Sequence, residues 1–315
     1  DATKGWLSVE EGTGFVGEAF IVASGGTETT CGDFKIHTFT GPGNFEVSSL
    51  ATCAPNNAVE YIVVAGGGGG GRPNSSGGGG AGGFRFASPS LAPATYPGKP
   101  LAAPAGLTVT AQTYPITIGG GGAVGVFPGN ANGTPGNTST FSTITSAGGG
   151  GAGGEPSPTS GTNSPVANPN TLPGHAAGLP GGSGGGARGT QSNPGAPQPA
   201  NHYYNPGSVP NAGGTGNNPP VSPPQGNPGG SGFDGVSTNS SGGGGGGAMA
   251  VGSSARGPGG GANAGGPGGD GAGIPTAFGA NGQPCGSFRY YAGGGGGGTE
   301  VPAPSPGVNS TGGLG

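Results

Sequence analysis

The chain has 315 residues, 86 of them glycine and 34 proline; only 6% are charged, for a net charge of −4. That balance removes the basic footprint of nucleic-acid binding and the polybasic stretches that engage anionic membranes. Gly-Gly pairs break any collagen period, and the low charge departs from the usual make-up of disordered chains.

No run of 18 apolar residues occurs, so the chain is not expected to be membrane-embedded. It opens at Asp1 without Met or a basic-then-apolar stretch, which reads as a processed or trimmed end rather than a signal peptide.

Residues 1–65 hold Trp6 and five phenylalanines, Phe15, Phe20, Phe34, Phe39 and Phe45. Apolar and polar residues alternate over 33–39 and again over 44–48, on either side of Gly41-Pro42-Gly43. Two such runs about a Gly-Pro-Gly break predict a hairpin. Folding it about Pro42 sets Phe39 opposite Phe45, His37 opposite Val47 and Cys31 opposite Cys53. The last pair is then within disulfide range, leaving Cys285 alone. With strand material near 15–23 and over 59–64, residues 1–65 are expected to form a small antiparallel β module for attachment or assembly.

From residue 66 to 315 a unit recurs in which a short β-prone run feeds into glycine. Residues 59–64 lead to 66–71, 114–118 to 119–122, 141–145 to 148–151, and 288–291 to 293–298. Further glycine runs fall at 77–80, 184–186, 242–247 and 259–261. A flexible spacer has no reason to place β-branched and aromatic residues repeatedly before glycine. Helix is unfavourable throughout, since Gly and Pro cost about 1 and 3 kcal/mol per residue there. The ordered alternative is polyglycine II, an extended threefold form rising about 3.1 Å per residue with no internal hydrogen bonds. Its N–H and C=O groups point sideways and must be met by neighbouring strands. The expected fold is mostly β and irregular: the β module, then a polyglycine II bundle with long Pro/Asn/Ser-rich loops, essentially without helix.

The blocks GGTETTCGDFKIHTFTGPGNFEVSS (25–49), VEYIVVAGGGGGG (59–71), GGGGAGGFRFASPSLAPATYPGKPLA (77–102), YPITIGGGG (114–122) and FSTITSAGGGG (141–151) resemble glycine-rich virion structural proteins of tailed bacteriophages, marine and aquatic ones among them. The likeness is looser through GGTGNNPPVSPPQGN (213–227). It implies a tail-fibre or other surface-exposed virion component. Some phage tail-tip adhesins use a polyglycine II bundle whose loops read host receptors.

Catalytic chemistry is not suggested. Glycine runs match G-x-G-x-x-G trivially, and Arg72-Pro73-Asn74 supplies no phosphate-loop Lys-Ser/Thr. His37, His175 and His202 lack ligand spacing, Cys-x-x-Cys is absent, and Asp33, Asp234 and Asp270 are isolated. No cofactor, metal or enzymatic activity is expected. The expected function is host recognition by a tail fibre or fibre tip. Its binding residues are Asn201, His202, Tyr203 and Tyr204, the adjacent aromatics of a long Pro/Asn-rich insertion. Expected partners are other virion proteins, a host surface glycan or outer-membrane protein, and further copies of the chain, as in a trimer. The alternatives are a capsid-decorating or fibre-shaft protein without a receptor role, and a secreted bacterial adhesive or filament protein. The location is the virion surface, or else extracellular.

Overall fold

Aromatic and β-branched residues in this chain bracket the glycine runs, and they gather into small sheets at one end of a glycine bundle. The computed structural model describes residues 20–32, 34–72, 75–90, 95–126, 132–154, 177–189, 191–192, 212–233, 235–236, 240–257, 264–299 and 310–315. The fold is mostly strand and irregular, as expected. Helical turns among the described residues are confined to short 3₁₀ pieces at Ala54–Asn57, Lys99–Leu101 and Thr276–Phe278.

The largest sheet is antiparallel, in the order Val22–Ser24, Gly43–Ser49, Thr113–Thr117, Ser139–Phe141, Ile144–Ser146. A second pairs Tyr61–Val64 with Phe84–Ala87, and a third places Phe288–Tyr291 between Ala272–Pro275 and Gln283–Cys285. Successive side chains of Tyr61–Val64 point to opposite faces, and this strand divides two cores. Tyr61 and Val63 join Phe45, Val47, Tyr114, Ile116 and Phe141. Ile62 and Val64 face the cluster of Phe84, Phe86, Tyr96, Leu101 and Ile274. Edge-to-face rings, such as Phe45 against Phe141 at 5.9 Å, tie each cluster together.

Three expectations change. Phe34–Thr38 does not turn back on Gly43–Ser49 at Pro42. It pairs with Thr27–Cys31 about Gly32, whose φ of +57° suits a tight turn, while Gly43–Ser49 joins the larger sheet. Cys31 therefore lies opposite Phe34, Cys53 precedes a 3₁₀ turn, and Cys31, Cys53 and Cys285 are all free and exposed thiols. The segment 141–145 is a hairpin rather than one strand, turning at Ser142 with φ of +53°. Strands from 1–65 pair with strands from 66–315 in the five-stranded sheet and in the sheet of Tyr61–Val64 with Phe84–Ala87.

Beyond the sheets the runs lie side by side, and the hydrogen bonds between any two recur every third residue. Gly68 N–H donates to Gly80 and Gly71 N–H to Gly77, so 65–71 and 77–83 are antiparallel. Gly122 donates to Gly67 and Gly125 to Gly70, so 119–125 runs parallel to 65–71. Such spacing is the signature of a threefold strand, because each azimuth returns after three residues. The described glycines of the runs have no left-handed φ. The run 259–261 lies outside the described residues.

The segment 242–247 shows the packing complete. Its N–H groups donate to three neighbours: Gly242 and Gly245 to Gly298 and Gly295, Gly243 and Gly246 to Ala187 and Gly184, Gly244 and Gly247 to Ser253 and Ala250. Its carbonyls accept from three others: Gly266 and Gly269, Gly78 and Ala81, Gly230 and Asn227. All these bonds are 2.7–3.1 Å. Every backbone polar group of the six glycines is satisfied, in a hexagonal surround that leaves no volume for side chains. A Cβ on Gly245 would sit 2.0 Å from the carbonyl oxygen of Gly79, and one on Gly243 would sit 2.2 Å from that of Gly230. Glycine is required there by close approach of backbones, not by turn geometry.

Candidate functional site

Strand directions decide which parts of the chain meet. At one end Ala65 N–H donates to Gly83, Gly83 to Ala147, Gly66 to Asn137 and Gly182 to Gly148. This is the sheet end. Gln225 is 1% exposed there. It fixes the connection 217–226: Nε2 donates to Pro219 O at 2.7 Å, and Oε1 accepts from Ala147 N–H at 2.8 Å. Ser146 Oγ donates to Gly83 O beside it.

At the other end Gly71 donates to Gly77, Gly77 to Gly153 and Gly189 to Ser75. Ser241 bridges both Phe233 and Thr299, and Arg256 bridges Ala264. Ser75 and Ser240 are fully buried at this level, with Oγ atoms 2.7 Å apart. The chain leaves and re-enters the bundle here from Val126 to Asn132, Gly154 to Ala177, Gly189 to Ala212, Phe233 to Ser240, Gly257 to Ala264 and Thr299 to Ser310. Beyond it, Gln191–Ser192 pairs in parallel with Gly235–Val236. One end of the bundle thus carries the aromatic cores and the connection 217–226, and the opposite end carries these six exits.

Asn201, His202, Tyr203 and Tyr204 lie outside the described residues, between the exits at Gly189 and Ala212. His37 is a strand residue with Nδ1 2.9 Å from Gly25 O and its ring edge-on to Phe45. Among the described residues no three His, Cys, Asp or Glu side chains gather as a metal site, and no helix is long and apolar enough to cross a membrane. Lys35, Glu28 and His37 form a small charged group on the hairpin Thr27–Thr38. Lys35 lies 2.7 Å from Glu28 and, by hydrogen bonding, holds the Glu28 carboxyl below its ordinary value. Burial raises the phenols of Tyr61 and Tyr291.

A second feature is a groove of about 770 Å³ lined by 65–71, 75–82, 292–299 and the terminal residues Ser310 and Gly315. Its floor is the segment 77–82 and its surface is almost wholly backbone. No sequence signal marks it, because its lining residues are glycines like those packed solidly elsewhere.

The comparison with curated proteins and with solved structures found no match. A family model described as a glycine-rich domain matches residues 40–315. That span takes in the sheets, the bundle and both ends described above, and the chain belongs to the glycine-rich domain family.

Proposed function

We propose that this chain is a surface protein of a tailed-phage virion, a tail-fibre or fibre-tip component that engages the host. The observation that supports the reading is the one-ended layout. A rigid bundle fixes six exits of the chain, the one leading to 190–211 among them, at the end opposite the sheets. Binding residues are disproportionately found on loops held by a rigid scaffold. Exits close together let several segments present one composite surface, while the sheet end is free to join other virion proteins. The segment carrying Asn201, His202, Tyr203 and Tyr204 is tethered at that surface by Gly189 and Ala212. Tyrosine offers an apolar face and a polar tip, which suits a sugar or a protein surface alike.

The test is adsorption of particles carrying the paired Tyr203→Ala and Tyr204→Ala changes. Loss of adsorption with intact particles of unchanged thermal stability is the expected result. Unchanged adsorption refutes the contact role of these residues, and absence of the chain from purified particles refutes the virion reading.

A further inference from the structure

The segment 75–83 lacks one neighbour. Around its circumference, carbonyls and amides alternate. Its carbonyls accept from 65–71, its amides donate to 147–153, and its carbonyls accept from 183–189. Its amides then donate to 243 and 246, and its carbonyls accept from 295 and 298. The sixth direction falls to amides again. There the N–H groups of Gly79 and Gly82, one threefold turn apart, donate to no backbone group among the described residues. On the two walls, the carbonyls of Ala65 and Gly68 and those of Gly293 and Gly296 likewise accept from none.

This direction is the groove. Inside the bundle a Cβ on glycine meets a backbone oxygen at about 2 Å, as at Gly243 and Gly245. On the groove walls a Cβ on Gly67 or Gly298 meets nothing nearer than 3.6 or 3.7 Å. The space that a further strand's carbonyls would occupy is open.

We propose that the groove is an unfilled strand position that receives one extended, glycine-containing strand from another polypeptide. The occupant accepts from Gly79 and Gly82 through carbonyls three residues, or about 9 Å, apart. It donates its own N–H groups to the carbonyls of both walls. A proline chain has the right shape and carbonyls but no donors. The residue pattern follows from an edge segment with three neighbours already in this molecule. Segment 132–137 bonds to 65–71, 119–125 and 147–154, and it reads Asn132-Gly133-Thr134-Pro135-Gly136-Asn137. Glycine recurs there only every third residue, and larger residues face outward. The occupant is therefore a Gly-x-x repeat. The described glycine runs of this chain are already members of the bundle, and 259–261 is too short to span the groove. Filling the position is the polyglycine counterpart of adding a strand to a sheet edge. The proposal concerns assembly and does not depend on which end meets a host.

The test uses the full chain and a capped synthetic peptide repeating Gly-Asn-Ser. Two control peptides of equal length carry Ala in place of Gly, or Pro throughout. Binding is read by calorimetry and by amide NMR. The expected result is binding of the Gly-Asn-Ser peptide alone, with hydrogen exchange at Gly79 and Gly82 slowed about tenfold or more. Gly67→Leu, which directs a side chain into the groove, should abolish binding yet melt like wild type. Gly120→Leu, whose Cβ lies outside the groove and meets only Asn137 Nδ2 at 3.9 Å, should keep it. Equal binding of either control peptide, or binding retained by Gly67→Leu, overturns the proposal. So do amides at Gly79 and Gly82 that are already protected in the free protein while no peptide binds, for then the chain fills its own groove.

Discussion

Alanine at Gly245 and alanine at Gly70 should have opposite effects. Both glycines sit in runs, and both substitutions reduce the freedom of the unfolded chain equally. At Gly245 the new Cβ would lie 2.0 Å from Gly79 O and 2.5 Å from Gly79 C. Carbon–oxygen contacts across neighbouring backbones settle near 3.3–3.6 Å, so the run 77–83 must retreat by over about 1 Å. Backbone cannot swing away as a flexible side chain can. The retreat breaks the bonds from Gly78 to Gly243 and from Ala81 to Gly246. Leaving buried backbone groups unmet costs about 1–3 kcal/mol each, so the loss is about 2–6 kcal/mol. At Gly70 nothing lies within 4 Å and φ is not left-handed. Alanine there should stabilise by about 0.4–1 kcal/mol through the unfolded chain. Differential scanning calorimetry of the two variants decides the matter. A Gly245→Ala protein that melts with or above Gly70→Ala refutes the close-packed hexagonal bundle.

Gln225→Ala leaves the buried Ala147 N–H without its partner and should cost about 1–3 kcal/mol in denaturant unfolding; a change within about 0.5 kcal/mol would match an ordinary surface site instead. Native, unreduced protein should titrate with thiol reagent at Cys31, Cys53 and Cys285 alike, and reaction at Cys285 alone would restore the disulfide. Stability should be flat near neutral pH. Glu28, drawn down by Lys35, contributes above the unfolded carboxyl value and loses its part as pH falls through the lowered folded value. Tyr61 and Tyr291, raised by burial, contribute fully below the ordinary phenol value of about 10 and lose that part as pH rises through the raised one. A denaturation midpoint that falls between about pH 6 and 8 would contradict this assignment, since neither shifted class titrates there.

Much of the architecture was legible because glycine runs leave few options. A β-prone segment ahead of four of the runs marks where the chain enters the bundle, and these entries at Val64, Thr117, Ser146 and Tyr291 follow from the sequence. Pairing partners were less legible. The symmetry of residues about Pro42 is real, but Gly32 supplies a tighter turn ten residues earlier and captures Phe34–Thr38. Ser142 gives no sign of its positive φ, so a hairpin looks like one strand. The role of Gln225 was also hidden, because an amide in a Pro/Asn-rich stretch reads as a surface residue until its two backbone partners are seen. The groove is invisible in sequence for a general reason: a glycine facing a neighbour and a glycine facing an empty position are the same letter.

The interior of the bundle is polar backbone rather than hydrocarbon, and this bears on how the fold responds to temperature. Unfolding an ordinary core raises heat capacity, by about 0.45 cal/K/mol for each Å² of apolar surface exposed, whereas polar surface lowers it by about 0.26. In this chain the apolar clusters are confined to the sheet end. The remainder contributes little or with the opposite sign. The heat-capacity increment per residue should fall below the usual value of about 12–15 cal/mol/K. A small increment flattens the stability curve, so chilling removes little of the driving force. Hydrogen bonding and dispersion do not fade in the cold as hydrophobic attraction does. The bundle should therefore hold its shape near freezing as firmly as at moderate warmth.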